Sequence, residues 1–392
     1  MDLDRLKRDF QQSAPAPLHA KLREALFAQI IDGSLPVGDL LPSERELKTL
    51  LDLSRPTIRQ AINALIQQGL VQRVAGKGSF VLEPQQKQTP TGLIGLVVSR
   101  PNFHFFYPQL AAAFDEQVRG SNYGMVMSLH GDRANLLGEV IEGLLLTQHI
   151  VGLAITPPRF GDATPVINRL RSAKIPFVFI GRQDIDTLVD SVAPDNRQIG
   201  YQATRYLIDL GHQRIAHLGF SDYSTGSTRL EGYQLALAEA GLPSRFVEIH
   251  EHIGSNSSRI GDEDSSTRIA LPARRTALDL LRRQDRPTAL FCFNDIVAMG
   301  AYKAARELGL RIPDDLSLIS VDNLPTVTHF EVPLTTFALP GAEIGRQGAN
   351  LLLQRIAGEK VGPQQYLLPA PMFRRASTAP LISAPTTPRQ PE

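Results

Sequence analysis

From residue 94 onward, short apolar runs alternate with helical patterns, and this alternation restricts the possible fold strongly. Nine runs have the length and composition of buried strands, namely IGLVVS, YGMVMSL, VGLAIT, PFVFIG, IAHLGF, FVEIH, ALFCFND, LSLISVD and LTTFAL. Repeated alternation of strand and helix predicts a parallel sheet with helices on both faces. The stretch SVAPDNRQIG separates two similar series of runs. We therefore predict two doubly wound α/β lobes rather than one large sheet.

The N-terminal part of the chain has a different pattern, which predicts three short helices and a hairpin. Apolar residues at every fourth position predict a first helix over residues 18–31. Ser43 and Glu46 have the spacing of a capping box, which begins a second helix. A third helix follows the turn DLSRP, and LVQRV and SFVL predict two strands around the glycine turn AGKG. This order is that of a winged helix-turn-helix domain.

The third predicted helix has one apolar and one polar face. Ile58, Ile62 and Leu65 recur at helical spacing and are expected in a core. The opposite face then presents hydrogen-bonding side chains of the kind that contact base edges in the major groove. These side chains are Thr57, Arg59, Gln60 and Asn63.

Further candidates for DNA contact surround this polar face. A single exposed arginine is usually only solvated, and it is the grouping of several cations that favours a DNA-binding function. Helix starts offer free backbone amides to a phosphate, and glycines in the hairpin turn allow close approach to a sugar-phosphate strand. The predicted DNA-contacting residues are Arg45, Ser54, Arg55, Thr57, Arg59, Gly76, Lys77 and Gly78.

The segment LPSERELKTLLDLSRPTIRQAINALIQQGLVQRVAGKGSFV resembles the DNA-binding domain of the GntR family of bacterial regulators. The resemblance implies DNA contact by the arginines and the threonine named above, and by a wing that contains Gly76 and Lys77. Pro56 departs from the family, which usually has a hydroxyl or small polar residue at this position. The departure removes a possible phosphate contact.

Polar residues follow several predicted strands of the α/β region. Asn294 and Asp295 follow ALFCF, Asp322 follows LSLISV, and Asp195 follows SVAP. In open α/β sheets, ligands bind at the carboxyl ends of strands, which here means between the two lobes. Carboxylates and amides supply the paired acceptors and donors that a sugar requires. Asp295 has an alternative role as a cap of the helix that follows it.

The α/β region resembles the effector domain of the LacI family, which is similar to periplasmic sugar-binding proteins. The motifs that carry this resemblance are NRQIGYQATRYLIDLGHQRIAHLGF, TRLEGYQLALAEAGLP, ALFCFNDIVAMGAYKAARELGLRIPDDLSLISVDN and PLTTF. By resemblance, Arg229 would clamp a ligand hydroxyl or carboxylate, with Tyr223 and Thr225 on the same loop. Relatives often have a polar side chain after PLTTF, where this chain has Ala338 and Leu339.

Three more residues are candidates because they follow strands of the first lobe. Phe105 and Phe106 come just after the first strand and would form an apolar wall of the cleft, unless they belong to the core. Arg182 follows PFVFIG and is a further candidate.

These patterns divide the chain into five predicted parts. An insertion over GSNSSRIGDEDSST, residues 254–267, is expected to be mobile. The parts are a lead (1–17), a winged helix-turn-helix domain (18–83), a linker (84–91), a two-lobed effector domain like that of periplasmic binding proteins (92–375) and a disordered tail (376–392).

The combination predicts a transcription repressor controlled by a small molecule. We expect a homodimer on double-stranded DNA with a palindromic operator, and a sugar or related metabolite as effector. A GntR-type head on a LacI-type body is similar in architecture to the arabinose repressors of Gram-positive bacteria. A ligand-responsive activator, or a sugar-binding protein without regulatory coupling, remains an alternative.

Other classes lack their signatures in this chain. No apolar run could cross a bilayer and the N-terminus has no export signal, so a cytoplasmic protein is expected, without membrane contact. There is no Walker A, HExxH, GxSxG or CxxC motif, and no setting for a Schiff-base lysine. We therefore predict no enzyme activity, cofactor or metal, and HEH at 250–252 is a poor chelate. The one cysteine, Cys292, is expected in a core.

Overall fold

The computed structural model describes most of the chain, in two units that comprise Met1–Thr89 and Pro90–Glu392. Gly76, the predicted linker, Phe105, Tyr223 and most of the predicted insertion lie outside the described residues, so their predictions stay open. The described residues are 3–12, 16–67, 69–74, 77–82, 92–99, 106–147, 149–159, 161–183, 187–222, 224–250, 265–359 and 361–381.

The first unit has the predicted three helices and hairpin, preceded by one further helix. That helix belongs to the predicted lead, yet Leu6 is fully buried and Phe10 nearly so, and both pack in the core of the unit. The elements are α1 (Leu3–Gln12), α2 (Leu18–Ile31), α3 (Glu44–Leu51), α4 (Arg55–Gln67), β1 (Val71–Val74) and β2 (Gly78–Val81).

Local signals account for the ends of these helices. The capping box at α3 is present, because the Ser43 hydroxyl accepts from the Glu46 amide at 3.2 Å and the Ser43 amide donates to the Glu46 carboxylate at 2.8 Å. Asp52 takes a left-handed conformation that ends α3. Gly69, with φ of +70°, follows α4 and allows the chain to turn into β1. β1 and β2 pair antiparallel, with Val71 opposite Val81.

The second unit is an α/β structure that contains two six-stranded sheets. Its first series of elements is β3 (Leu93–Val98), α5 (Phe106–Gly120), β4 (Gly124–Leu129), α6 (Ala134–Leu145), β5 (Ile150–Ile155), α7 (Thr164–Ala173), β6 (Phe177–Ile180) and β7 (Ser191–Pro194). The second series is α8 (Asn196–Asp209), β8 (Ile215–Gly219), α9 (Ser224–Glu239), β9 (Phe246–Glu248), α10 (Ser265–Leu281), β10 (Ala289–Cys292), α11 (Asp295–Glu307), β11 (Ser317–Val321), a 3-10 helix (Pro325–Thr328), β12 (Thr335–Phe337), α12 (Gly341–Ile356), β13 (Gln365–Leu368) and β14 (Met372–Phe373).

Each sheet is the centre of one lobe, which confirms the predicted two-lobed architecture. The first lobe has strand order β13-β7-β6-β5-β3-β4, and the second has β14-β12-β11-β10-β8-β9. All neighbouring strands are parallel except β12 and β14. The carboxyl ends of the parallel strands therefore lie along one edge of each sheet, where a ligand cleft is expected.

The lobes are not consecutive in the chain. The chain enters the second lobe after β7, returns with α12 and β13 to the first lobe, and crosses again to reach β14. Apolar residues of α12, such as Ile344 and Leu352, pack in the core of the first lobe. The sequence patterns do not predict the strands β13 and β14, which are only four and two residues long.

Two predictions about irregular segments need correction. The last three residues of the predicted mobile insertion belong to helix α10, which begins at Ser265. The tail predicted to be disordered from residue 376 is packed against the second lobe as far as Leu381, whose amide donates to the Leu210 carbonyl at 2.8 Å. Within it, Ser377 is fully buried and its hydroxyl accepts from the Thr335 amide at 2.8 Å. These backbone partners explain why a polar, proline-containing segment is ordered.

Two further expectations concern single features. Cys292 is buried as predicted, and burial raises the pKa of its thiol. No described helix has both the length and the apolar character needed to span a bilayer.

Candidate nucleic-acid interface and ligand cleft

Helix α4 has the two faces that its sequence predicts. Ile58, Ile62 and Leu65 are buried in the core of the first unit. Arg59, Gln60 and Asn63 are exposed and Thr57 is half-buried, so the polar side chains form the outer face of the helix. A helix with this surface has the hydrogen-bonding groups that read base edges in a major groove.

Arg59 is held in place by Glu44, a contact that the local sequence pattern does not predict. The Arg59 Nε lies 2.9 Å from Glu44 Oε1 and 3.0 Å from Oε2, and this contact raises the pKa of Arg59. Arg73 of β1 approaches the same carboxylate at 3.9 Å. Glu44 therefore connects the start of α3, the outer face of α4 and the first strand of the hairpin. It orients a side chain that remains 59% exposed.

The other predicted DNA-contacting residues lie around this face. The Ser54 hydroxyl caps α4, because it accepts from the Thr57 amide at 3.3 Å and lies 2.7 Å from the Thr57 hydroxyl. Both hydroxyls are thus already engaged in the structure of the helix start. Arg45, Arg55 and Lys77 are exposed. Gly78 begins β2 with φ of +112°, a conformation that favours glycine.

The second unit has a polar cleft between its lobes, formed by two adjoining pockets. The smaller pocket has a volume of about 90 Å³ and the larger about 280 Å³, and Phe106, Asp322 and Leu339 line both. Together they suit a small polar molecule. The smaller pocket is also lined by Tyr107, Gly181, Arg182, Pro194, Asn196, Thr225, Arg229, Phe293 and Asn294. The larger pocket is also lined by Gln109, Asn323, Leu324, Pro325, Thr328, Ala338 and Arg375.

Arg229 is a buried cation at the wall of this cleft. It is only 2% exposed, its Nε donates to Asn196 Oδ1 at 2.9 Å, and a terminal nitrogen donates to the Phe293 carbonyl at 2.6 Å. The guanidinium also lies 4.6 Å from the centre of the Phe293 ring. A buried cation with fixed partners is preorganised to bind a hydroxyl or carboxylate.

Two glycines bring Arg229 into this position. A side chain at Gly200 would place its Cβ 2.1 Å from the Arg229 carbonyl, and one at Gly232 would place it 2.0 Å from the Arg197 carbonyl. Helices α8 and α9 can therefore approach closely only because these positions have no Cβ. The close approach brings Asn196 of α8 within hydrogen-bonding distance of Arg229 of α9.

Of the polar residues of the first lobe, Arg182 and Tyr107 line the cleft, and both have hydrogen-bonding partners within that lobe. Arg182 donates to Asp132 Oδ1 at 2.9 Å and to the Pro157 carbonyl at 2.7 Å. The Ser99 hydroxyl donates to the Tyr107 hydroxyl at 3.0 Å, and burial raises the pKa of Tyr107. Burial also lowers the pKa of His130 to about 4, so this histidine is neutral near pH 7. The two lobes contact each other where the Ser224 hydroxyl donates to the Gln183 carbonyl at 2.5 Å.

Two predicted ligand-binding residues have other places in the structure. Asp195 is the N-cap of α8, where its carboxylate accepts from the Gln198 amide at 2.8 Å, and its neighbours Pro194 and Asn196 line the cleft instead. Asp295 is fully buried beneath the cleft and is not among the residues that line it. Nor does Asp295 cap α11, because Asn294 takes that role by accepting from the Val297 amide at 2.9 Å.

The structure places the other described candidates at the cleft and adds new ones. Phe106, Arg182, Thr225, Arg229, Asn294 and Asp322 all line it. Tyr107, Asn196 and Phe293 also line it, and each is adjacent in sequence to a residue that was predicted. The rule that ligands bind at strand ends locates these loops, but which neighbouring side chain faces inward depends on where the next helix begins.

A winged helix-turn-helix unit followed by two α/β lobes around a polar cleft defines a ligand-responsive transcription regulator. Comparisons with known proteins support this class. Residues 18–81 match the bacterial regulatory proteins of the gntR family, and residues 204–378 match the periplasmic binding protein-like domain. The chain is 30% identical over 351 residues to the arabinose metabolism transcriptional repressor of Geobacillus stearothermophilus, covering 88% of this chain and 93% of the relative. The chain belongs to the gntR family of bacterial regulators and is a DNA-binding transcriptional repressor.

Other relatives match the second unit. The HTH-type transcriptional repressor PurR of Photobacterium profundum is 36% identical over 276 residues, which are 69% of this chain and 76% of the relative. The structure of a LacI family transcriptional regulator from Enterococcus faecium with bound ribose is 26% identical, with a TM-score of 0.59, and covers 74% of this chain and 100% of that chain. The effector domain is therefore of the LacI type, and these relatives are regulators rather than enzymes.

Proposed function

We propose that this cytoplasmic protein binds a palindromic operator as a homodimer and that a sugar bound between the lobes changes its affinity for that operator. The observation that carries the effector part is the buried Arg229, which is held by Asn196 and the Phe293 carbonyl at the wall of a polar cleft. A sugar needs fixed donors and acceptors, and Arg229, Asn294 and Asp322 supply both kinds.

The nature of the effector is supported by the chemistry of the cleft and by the relatives. The residues at the smaller pocket combine aromatic rings with charged and amide groups, a mixture that suits the apolar faces and hydroxyls of a sugar ring. One relative of known structure contains ribose, and another relative is named for arabinose metabolism. A pentose is therefore the first class of effector to test.

The DNA part of the proposal uses the outer face of α4 and its surroundings. Arg59 and Thr57 would contact base edges, while Arg45, Arg55 and Lys77 would contact phosphates. Two heads in a symmetric dimer would read the two halves of a palindrome. Closure of the lobes around a sugar would alter how the heads are presented, provided that the sugar binds one arrangement of the lobes more tightly than the other.

The experiment combines two measurements on the full-length protein. A thermal-shift screen of pentoses and hexoses identifies the effector, because a ligand that binds the folded state raises its melting temperature. Fluorescence anisotropy with an operator selected from random-sequence DNA then measures affinity at fixed salt, with and without that sugar. We expect the sugar to change operator affinity at least several-fold. If operator affinity is the same without sugar and at saturating sugar, the protein binds sugar without regulatory coupling.

A further inference from the structure

Asp295 is a carboxylate that is completely buried, yet it accepts three hydrogen bonds from different parts of the second lobe. Its Oδ1 accepts from the hydroxyls of Ser320 and Thr336, the latter at 2.7 Å. Its Oδ2 accepts from the backbone amide of Leu324 at 2.7 Å. Ser320 belongs to β11, Thr336 to β12 and Leu324 to the loop after β11. A single side chain therefore ties two adjacent strands to the loop that follows one of them.

That loop has a conformation that L-residues rarely adopt. Asp322 has a φ of +119° and Asn323 a φ of +54°, so two successive residues other than glycine lie in positive-φ regions. Such backbone persists only where its surroundings determine it. The backbone amides of all three loop residues are used, because Asp322 donates to the Phe337 carbonyl at 2.8 Å, Asn323 to the Thr336 hydroxyl at 3.3 Å and Leu324 to Asp295.

The strained loop includes a residue of the cleft wall. Asp322 lines both the smaller and the larger pocket, and Asn323 beside it lines the larger pocket. Thr336 connects the two sets of contacts, because its hydroxyl accepts from the Asn323 amide and donates to Asp295. The direction of the Asp322 carboxylate thus depends on a hydrogen-bonded chain that ends at Asp295.

We propose that Asp295 is a positioning residue for effector binding, whose buried carboxylate holds residues 322–324 in the conformation that presents Asp322 to the cleft. This inference rests on the proposed function, because it assigns Asp322 to the effector. It also explains why a carboxylate occupies the first position of α11 although the neighbouring Asn294 already caps that helix. Electrostatics agree with this proximity, since burial and the charge of Asp322 raise the pKa of Asp295 to about 7.

Two substitutions separate positioning from mere stability. Asp295→Ala removes all three acceptor contacts, whereas Asp295→Asn keeps an amide oxygen for the Leu324 amide and an NH₂ group that can donate to the two hydroxyls. Leu281→Ala, in a buried position of α10, serves as a control for general destabilisation of the same lobe. Melting temperature and affinity are measured for each full-length variant, with D-ribose and L-arabinose as probes in calorimetric titrations.

We expect Asp295→Ala to bind the responding pentose about tenfold or more weakly than the wild type, beyond any loss in Leu281→Ala. Asp295→Asn should retain affinity within about threefold of the wild type, because its contacts are largely restored. In the Asp322→Asn background, Asp295→Ala should cause no further loss of pentose affinity, since Asp295 acts only through the carboxylate of Asp322. Wild-type affinity in Asp295→Ala, or an equal loss in both backgrounds, would overturn the inference.

A crystal structure of Asp295→Ala provides a test that does not depend on any sugar. We expect residues 322 and 323 to leave the positive-φ region, and an unchanged loop would also overturn the inference. If neither pentose binds the wild type, the proposed choice of effector fails, while the conformation of the loop still decides whether Asp295 positions Asp322.

Discussion

The two functional regions of this protein hold their arginines in opposite ways. Arg59, on the outer face of α4, is 59% exposed and contacts one carboxylate at the surface. Arg229, at the cleft, is 2% exposed and donates to an amide oxygen and a backbone carbonyl. An exposed arginine can adjust to a polyanion and is screened by salt, whereas a buried one is fixed before its ligand arrives. The exposed arginine therefore suits binding to DNA, and the buried arginine suits binding to a small effector.

The largest effect should come from removing the buried arginine. Arg229→Ala would leave the Asn196 side chain and the Phe293 carbonyl without their donor, and we expect a loss of about 3 kcal/mol or more in unfolding free energy. The sugar-induced rise in melting temperature should disappear. Differential scanning calorimetry with and without pentose checks both. Operator affinity measured at a temperature where the variant is folded should stay near that of the wild type, and a parallel loss there would contradict the separation of the two regions.

A comparable effect should appear in the response of the second unit to acid. Burial lowers the pKa of His217 to about 4, and this ring stacks on Phe291 at 4.4 Å. Because the folded-state pKa lies below the unfolded value, His217 contributes stability that is present above pH 6.5 and is lost as pH falls toward 4. The contribution of this one histidine is about 3 kcal/mol.

His217→Phe isolates this contribution. The raised pKa of Asp295 also makes stability depend on pH, because the stability it gives is lost as pH rises toward 7. The contributions of Asp295 and of other titrating groups cancel when the variant is compared with the wild type at each pH. We expect urea unfolding to show the variant gaining about 3 kcal/mol relative to the wild type between pH 7 and pH 4. A difference that does not change with pH would show that His217 titrates normally.

The exposed arginine should have a smaller effect, confined to DNA. Arg59→Ala should weaken binding to the selected operator roughly ten- to a hundredfold and leave the melting temperature nearly unchanged. Anisotropy titrations with the operator and with random-sequence DNA separate the possible roles. A loss of the same size on both would identify Arg59 as a phosphate contact rather than a base contact.

The smallest effect should come from the residue that orients Arg59. Glu44→Gln removes the charge that holds the guanidinium, and we expect about a two- to fivefold loss of operator affinity. Arg73→Ala provides the matched control, because Arg73 approaches the same carboxylate at a longer distance. A Glu44→Gln variant that binds the operator more tightly would show that the carboxylate opposes DNA binding instead of orienting Arg59.

Predictability from sequence also differs between the two regions. In the first unit, the bounds of α2 and the capping box at Ser43 follow from local periodicity and spacing, and both are confirmed. Local spacing does not predict the role of Glu44, because its contact with Arg59 spans fifteen positions in the sequence. In the cleft, the strand-end rule located the correct loops, yet it selected Asp195 where Asn196 lines the pocket and treated Asp295 as a ligand contact.

Sequence patterns were sufficient wherever a few neighbouring residues decide the outcome, as for the helix caps, the buried strands, the winged helix-turn-helix order and the division into lobes. Tertiary structure alone decided the return of α12 and β13 to the first lobe, the packing of residues 376–381 and the burial of Arg229 and Asp295. The physical reason is that a buried charge or an ordered polar segment needs hydrogen-bonding partners from distant parts of the chain. For Arg229, one such partner is the carbonyl of Phe293, 64 positions away.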